Sequence, residues 1–195
     1  MDLPRTAGAA TLRVSVTDRC NLRCAYCMPE AGVPLLPRSE IPPLSELAAA
    51  VRWLVERFGV DRVKVTGGEP LVRGGLPAFV SAVAEIPGVR EVSMTTNGTR
   101  LAASARDLVE AGLRRVNVSL DTLDPERFRE LTRGGRVEEA LEGIDAALAA
   151  GLTPLKLNSV LRRSSFRDDV PALLSLAAEK GVEVRFIELM QTGTE

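Results

Sequence analysis

Short apolar runs alternate with longer amphipathic stretches along most of the chain. The short runs predict strands at 12–16, 60–66, 91–95, 115–120, 155–161 and 182–187. Stretches with apolar residues three or four apart predict helices at 45–58, 76–86, 102–111, 137–149 and 168–180. Asp124 followed by Pro125 predicts the cap and first residue of another helix. Strands that alternate with helices predict an α/β fold with a parallel sheet and helical crossovers.

Glycines mark the ends of several predicted helices. Gly59, Gly112, Gly151 and Gly181 each follow a helical stretch and precede a strand, where a left-handed residue is favoured. Ser45 is the expected cap of the first helix. Trp53 lies in the same helix, and we expect it to be part of the core.

Each predicted strand carries a polar stripe on one face, since alternate residues of a strand point the same way. The stripes consist of Arg13, Ser15 and Thr17; Lys64 and Thr66; Ser93 and Thr95; Asn117, Ser119 and Asp121; Lys156 and Asn158; and Arg185. A flat sheet under helices on both faces would bury these groups at high cost. The stripes therefore favour a curved, incompletely closed barrel, a partial (βα)6 TIM-like fold, with a ligand-holding interior. The alternative is that some stripes lie near strand ends in solvent.

The bulk composition narrows the class of protein. The 195 residues, 45% of them hydrophobic, are enough for one core. We expect a flexible N-terminal segment at 1–11 and a single barrel at 12–195. The net charge of −1 provides no general attraction for nucleic acid. The first ten residues contain no hydrophobic stretch, so the sequence predicts a cytoplasmic protein that is not bound to a membrane.

All three cysteines lie within eight residues, directly after the first predicted strand. Cys20, Cys24 and Cys27 have the spacing C-x3-C-x2-C, and the chain has no histidine. An odd, clustered set is a poor disulfide framework, whereas thiolates are good ligands of iron–sulfur clusters. Three thiolates leave one iron of a [4Fe–4S] cluster open to a small molecule. A zinc site that lacks its fourth ligand, or chance clustering, are the alternatives.

A second candidate motif, Thr66-Gly67-Gly68-Glu69-Pro70, follows the second predicted strand. Two glycines allow backbone to approach a ligand closely, and Glu69 offers a carboxylate to an ammonium. The motif is not a phosphate loop, because no Gly-Lys-Ser/Thr follows. A plain strand-to-helix turn would have the same composition.

With these motifs the sequence resembles the radical S-adenosylmethionine (SAM) superfamily. The cysteine spacing, with aromatic Tyr26 before the last cysteine, and the Gly-Gly-Glu-Pro turn match its signatures. Segments 12–20, 26–29, 95–98, 118–121 and 185–190 resemble more narrowly the GTP 3′,8-cyclase family of molybdenum cofactor biosynthesis. The likeness runs from about Leu12 to Gly193.

The resemblance implies a cofactor pair, a substrate and a set of contacts. It implies a [4Fe–4S] cluster whose open iron binds SAM, GTP as substrate, and a reductase or flavodoxin-type electron donor. By resemblance, Tyr26, Gly68, Glu69, Ser119 and Met190 surround SAM, and Arg13, Thr95 and Lys156 contact GTP. Together with Lys64 and Arg185, the cations Arg13 and Lys156 suit a triphosphate.

The sequence departs from the cyclase pattern at several points. The family usually has arginine where Lys64 stands, and its C-terminal region carries three further cysteines for a second cluster. We therefore expect either the SAM-cleaving part of a cyclase or a short relative. A radical SAM enzyme for another nucleotide or a peptide, and a non-catalytic iron–sulfur module, are the alternatives. The loop 133–136 is basic and would suit phosphate if it lies near the barrel mouth.

Overall fold

The computed structural model describes residues 10–189, which form one six-stranded parallel sheet with helices between the strands. The strands are β1 (Thr11–Ser15), β2 (Arg62–Thr66), β3 (Glu91–Thr96), β4 (Leu113–Ser119), β5 (Lys156–Leu161) and β6 (Glu183–Glu188). The helices are α1 (Leu44–Phe58), α2 (Leu76–Ala84), α3 (Ala105–Glu110), α4 (Pro125–Thr132), α5 (Val137–Ala149) and α6 (Phe166–Lys180). All the predicted elements are present.

The strands pair in sequence order from β1 to β6, and every pairing is parallel. β1 and β6 are the two edges, so the sheet does not close on itself. This is the predicted partial (βα)6 barrel. Every connection returns the chain to the same end of the sheet, so all the loops that follow strands lie at one edge.

The core lies between the sheet and the helices. Val63 and Val65 of β2, Met94 of β3 and Val116 and Val118 of β4 are fully buried against the helices. These residues alternate with the polar stripe, so each strand separates an apolar outer face from a polar inner face. The side chain of Asp124 accepts a hydrogen bond from Arg127 N at the start of α4, as its sequence position predicts.

Several local predictions were wrong. Pro43, not Ser45, caps α1, and it makes no side-chain hydrogen bond there. Trp53 is 59% exposed instead of buried. It lies two residues from both Val51 and Val55, which are buried, so it faces the opposite side of the helix. Its ring contacts Phe58 edge to face, with 5.5 Å between centroids.

The glycine predictions were right, and the main errors concern element ends. Gly59 and Gly181 cap α1 and α6 in the left-handed conformation. Gly112 and Gly151 also have positive φ, one residue beyond the caps of α3 and α5. Residues 101–104 form turns, so α3 is shorter than predicted. Within residues 10–189, no helix is long and apolar enough to cross a membrane.

Candidate active site

The candidate motifs lie together at the edge where the strands end. The cysteine segment follows β1, the Gly-Gly-Glu-Pro turn follows β2, Asn97 follows β3 and Asp121 follows β4. In α/β folds with parallel strands this edge is where catalytic and ligand-binding groups gather.

The cysteine loop brings its three thiols close to one another. Cys20 and Cys24 are partly buried and Cys27 is exposed. A tight turn joins two of them, since Cys27 N and Met28 N both donate to Cys24 O, at 2.9 and 3.1 Å. Burial raises the pKa of Cys24 to about 12, with further contributions from Asp121, Cys20 and Cys27. Burial also raises the pKa of Cys20, and Glu69 and Cys27 add to the effect. Without metal these two thiols stay protonated, and metal binding must release the protons.

The arrangement fits a cluster better than a single ion. Within residues 10–189, no three His, Cys, Asp or Glu side chains converge on a point that one metal ion could occupy. In a [4Fe–4S] cluster each cysteine binds a different iron, so the thiolates surround the cluster instead of meeting at one point. The three thiols suit a cluster by their chemistry, since the sequence has no histidine and no fourth cysteine to complete a zinc site.

Two N–H donors lie close to the sulfur of Cys20. Leu22 N lies 3.4 Å from the Cys20 sulfur, and the side-chain amide nitrogen of Asn97 lies 3.9 Å from it. Asn97 also donates to Asn21 Oδ1 at 3.0 Å. Such donors stabilise negative charge on a thiolate and tune a cluster's potential. Asn97 was not among the predicted site residues, although it follows a strand and lies in segment 95–98, which carries part of the family resemblance.

The Gly-Gly-Glu-Pro turn packs directly on the segment that leads into Cys20. Gly68 N donates to Thr17 O at 2.7 Å, and Glu69 N donates to Arg19 O at 2.8 Å. A Cβ atom on Gly68 would lie 2.3 Å from Arg19 O, and one on Gly67 would lie 2.6 Å from Thr17 O. The glycines thus make room for the neighbouring backbone, whereas the sequence motif predicts that a ligand approaches them. Gly68 remains exposed on its other side.

Glu69 differs from the expectation that its carboxylate is open to an ammonium. The side chain is 1% exposed and accepts hydrogen bonds from Leu71 N, Thr96 Oγ1 and Asn97 N. Burial raises its pKa, and the same three donors oppose that rise. Glu69 therefore joins the turn after β2 to the turn after β3, next to Cys20. The carboxylate holds this edge together, and the expected contact of Glu69 with SAM stays a prediction.

Tyr26 anchors the cysteine loop to the ends of β4 and β5. Its hydroxyl donates to Asp121 Oδ2 at 2.8 Å, and Asp121 Oδ1 accepts from Val160 N at 2.8 Å. Burial raises the pKa of Tyr26, with Asp121 next in effect, so the phenol stays neutral and remains a donor. The expected contact of its ring with SAM stays a prediction.

The polar stripes form three rows across the inner face of the sheet. The register aligns Ser119 with Asn158 and Arg185; Thr95 with Asn117, Lys156 and Glu183; and Arg13 with Lys64, Ser93 and Arg115. The Ser119 row lies nearest the cysteine loop and the Arg13 row lies deepest. We call the space over these rows the lumen. Of the expected site residues, these rows contain Arg13, Lys64, Thr95, Ser119, Lys156 and Arg185, whereas Tyr26, Gly68 and Glu69 lie in the loops above them. Met190 lies outside the described residues.

The lumen carries an excess of positive charge. Burial lowers the pKa of Lys64, and the nearby guanidinium groups of Arg13, Arg115 and Arg185 lower it further, so these cations face one space. Glu91 pairs with Arg115 at 2.7 Å. Glu183 pairs with Lys156 and with Arg185, each at 2.7 Å, and these contacts lower the pKa of Glu183. Arg115 was not among the predicted stripe residues, although the alternation of side chains along a strand places it on the same face as Asn117.

One lumen side chain has an unused polar atom. Thr95 Oγ1 is buried and has no hydrogen-bond partner in the described part of the chain. A buried polar atom without a partner is costly, and a ligand or water usually satisfies it. Asp61 Oδ1 and Ser159 Oγ, which lie outside the lumen, are also without a partner among the described residues, so the Thr95 hydroxyl is compatible with a polar ligand or with a water molecule.

The family model described as the radical SAM superfamily matches residues 14–177. The chain belongs to the radical SAM superfamily. A [4Fe–4S] cluster and SAM are the cofactors of that superfamily, and the thiols described above fit the cluster.

Among curated relatives, the chain is similar to proteins named GTP 3′,8-cyclase. It is 52% identical over 183 residues to the one from Pelotomaculum thermopropionicum, which covers 94% of this chain and 56% of that protein. It is 49% identical over 179 residues to the one from Peptoclostridium acidaminophilum, with 92% and 55% covered. The chain thus spans about half the length of the curated relatives it matches.

Solved radical SAM structures show the same fold. Streptococcus suis SuiB bound to S-adenosylmethionine superposes with a TM-score of 0.76 at 18% identity, covering 96% of this chain and 40% of that one. For anSMEcpe with bound AdoMet the TM-score is 0.74, again at 18% identity, with 95% and 51% covered. At this identity the likeness concerns the fold alone.

Proposed function

We propose that the chain is the SAM-cleaving barrel of a GTP 3′,8-cyclase, which converts GTP to 3′,8-cyclo-7,8-dihydro-GTP in molybdopterin synthesis. The observation that most supports this proposal is that two sites lie one above the other. A three-thiol loop lies at the carboxyl edge of the sheet, and a cationic lumen with the orphaned Thr95 hydroxyl lies directly below it. The similarity to proteins named GTP 3′,8-cyclase supports this choice of substrate.

In this proposal the chain's residues fall into two groups. Cys20, Cys24 and Cys27 hold the cluster, which supplies the electron that cleaves SAM to methionine and a 5′-deoxyadenosyl radical. Gly68, Tyr26 and Ser119 would contact SAM. A reductase or flavodoxin-type protein is the proposed electron donor.

The second group binds the nucleotide. Arg13, Lys64, Lys156 and Arg185 contact the triphosphate, and Thr95 Oγ1 gains a partner. Binding there would present the ribose C3′ hydrogen to the 5′-deoxyadenosyl radical, which would take it and leave as 5′-deoxyadenosine. The C3′ radical would then form a bond to C8 of guanine, and the resulting ring radical would be reduced by one electron from the proposed donor and take up one proton. Protein groups position and shield the reactants, so no histidine base is needed for this step.

Arg13→Ala and Lys156→Ala are expected to weaken GTP binding far more than SAM binding. Each change removes a charge-assisted contact worth about 1.5–3 kcal/mol, or roughly 10- to 150-fold in Kd. Titrating the cluster-loaded variants with both ligands by calorimetry under anaerobic conditions measures the two losses separately.

Arg114→Ala is the matched control for these titrations. Arg114 neighbours Arg115 on β4 but borders an outer cavity with Ala84, Val89 and Gly112, so its loss removes a charge without changing the lumen. Equal losses for the two ligands in the Arg13 and Lys156 variants, or GTP losses no larger than in the control, would refute the phosphate site.

The 195-residue chain tested alone is expected to cleave SAM without cyclising GTP efficiently. Within residues 10–189 nothing covers the lumen along its β1 and β6 edges, where Arg13, Arg185 and Ile187 are exposed. An open lumen lets solvent or buffer components quench a carbon radical before it reaches the ribose. With GTP deuterated at C3′, we expect 5′-deoxyadenosine that carries little deuterium, as measured by mass spectrometry.

A full-length relative assayed in parallel is the control, and it should transfer the deuterium. Efficient transfer and cyclised product from the 195-residue chain would contradict the open-lumen argument. Absence of 5′-deoxyadenosine in the presence of dithionite would instead favour a non-catalytic iron–sulfur module.

A further inference from the structure

Arg133 has a left-handed backbone conformation that glycine adopts at the ends of α1 and α6. It follows the last residue of α4 with φ 54° and ψ 54°, and it is the only non-glycine residue with positive φ among residues 10–189. At the corresponding positions after α1 and α6 the chain has Gly59 and Gly181. Strained non-glycine positions of this kind gather at functional sites. Because glycine would fit this backbone conformation better, the reason for an arginine must lie in its side chain.

The Arg133 side chain reaches back to both ends of the cysteine loop. Its Nη1 donates to Arg23 O at 3.1 Å and to Met28 O at 2.8 Å. These two carbonyls bracket Cys24 and Cys27. One guanidinium therefore closes the turn that carries two of the three thiols and adds a positive charge beside it.

The end of α4 also provides a backbone platform for the same loop. Arg23 N donates to Thr132 O at 3.0 Å, and Ala25 N donates to Leu131 O at 2.8 Å. These are carbonyls of the last helical turn, which the helix itself leaves without partners. A Cβ atom on Gly135 would lie 2.8 Å from the Leu22 side chain, so the glycine after the helix permits this close docking.

We propose that Arg133 is a positioning residue of the cluster site, which clamps the Cys24–Cys27 turn onto α4 and stabilises the reduced cluster through its charge. The second half of this proposal rests on the proposed assignment of the cysteines as cluster ligands. The first half concerns the loop itself and can be measured without any cluster. Arg133 of the basic loop 133–136 thus contacts the cysteine loop.

The clamp is tested by hydrogen–deuterium exchange on the cluster-free chain. Arg133→Gly removes the side chain and relieves the left-handed backbone, so it should not unfold the protein. We expect peptides covering residues 20–28 to exchange about tenfold faster, with β3 peptides as the internal reference. Arg133→Gln, which keeps a side chain but no charge, is the second variant. Arg136→Ala is the matched control, since Arg136 is an exposed arginine in the same loop whose ion-pair partner, Glu138, lies 3.7 Å away.

The charge is tested on the reconstituted protein. Arg133→Gly and Arg133→Gln should lose iron faster to a chelator and shift the cluster's midpoint potential to more negative values, because reduction adds negative charge. Arg133→Lys should keep a near-native potential, since an ammonium keeps the charge. Its loop should exchange at an intermediate rate, because the shorter side chain reaches the two carbonyls less well than Nη1 does.

The outcomes separate the two ideas. Unchanged loop exchange in both the glycine and glutamine variants would overturn the clamp. Faster exchange with unchanged iron release and potential would overturn its role towards the cluster. Failure of the cluster assignment itself would appear elsewhere, as full iron binding in a Cys24 variant, and the exchange data on the cluster-free chain would still decide the clamp.

Discussion

Cys24→Ala is expected to abolish both the iron–sulfur chromophore and SAM cleavage. Cys24 is the middle ligand of three, and no fourth cysteine exists in the sequence to replace it. Two thiolates cannot hold a cubane with a single open iron. Anaerobic reconstitution of the unchanged chain should give about four irons per chain. The variant should bind little iron and release no 5′-deoxyadenosine with SAM and dithionite.

Ala25→Ser serves as the control, because it changes the exposed neighbour of Cys24 and leaves all three thiols in place. It should keep the full cluster and cleave SAM. A Cys24→Ala protein that retains four irons and cleaves SAM would show that the ligands are assigned incorrectly.

Assembly of the cluster should also depend on pH in a defined direction. Burial first, and the neighbouring Asp121 and cysteines next, raise the pKa of Cys24 to about 12 in the cluster-free chain. Binding iron requires the thiolate, so protons are released on assembly. Raising the pH within the range where the fold survives therefore favours assembly.

The fold was predictable because local signals agree with the overall topology. Asp124 and Pro125 mark the start of α4, and Gly59 and Gly181 mark two helix ends by their conformation alone. The alternation of polar and apolar residues assigned the two faces of each strand. Trp53 was misplaced because residue type was given more weight than helical phase. Its position relative to Val51 and Val55 already pointed to solvent.

The site was predictable where the chemistry is contiguous in sequence, as in the cysteine loop. It was not predictable where the contacts join distant segments. Glu69 accepts a hydrogen bond from Asn97, and Arg133 donates one to Arg23. The partners are far apart in sequence, and no repeating pattern of residues connects them. Arg115 is an intermediate case. Its place on the inner face of the sheet follows from strand alternation, but its ion pair with Glu91 could not be predicted from the sequence.

In the Gly-Gly-Glu-Pro turn, the sequence motif suggests glycines that approach a ligand, whereas the packing shows glycines that approach the protein's own backbone. Its glycines are required by the loop that precedes Cys20, which approaches too closely for any side chain. The turn, Glu69 and the cysteine loop therefore form one packed unit, and SAM would meet only the exposed side of Gly68.

Gly68→Ala is accordingly expected to damage the site severely. The new Cβ would lie 2.3 Å from Arg19 O and 2.6 Å from Arg19 C, and both are backbone atoms that cannot rotate away. The turn or the cysteine loop must shift, which breaks the hydrogen bonds from Gly68 N to Thr17 O and from Glu69 N to Arg19 O. Overpacking of this kind costs about 1–3 kcal/mol, and each buried polar group left unpaired adds about 1–3 kcal/mol.

We expect the midpoint of thermal unfolding of Gly68→Ala to fall by several degrees and SAM binding to be lost, measured by calorimetry on the same preparation. Gly74→Ala is the matched control from the same loop, since a Cβ there meets nothing within 4 Å and its φ is not positive. That variant should unfold and bind SAM like the unchanged chain. Native stability and SAM affinity in Gly68→Ala would mean that the turn is free to move away from Arg19, and the close packing would then have no part in forming the site.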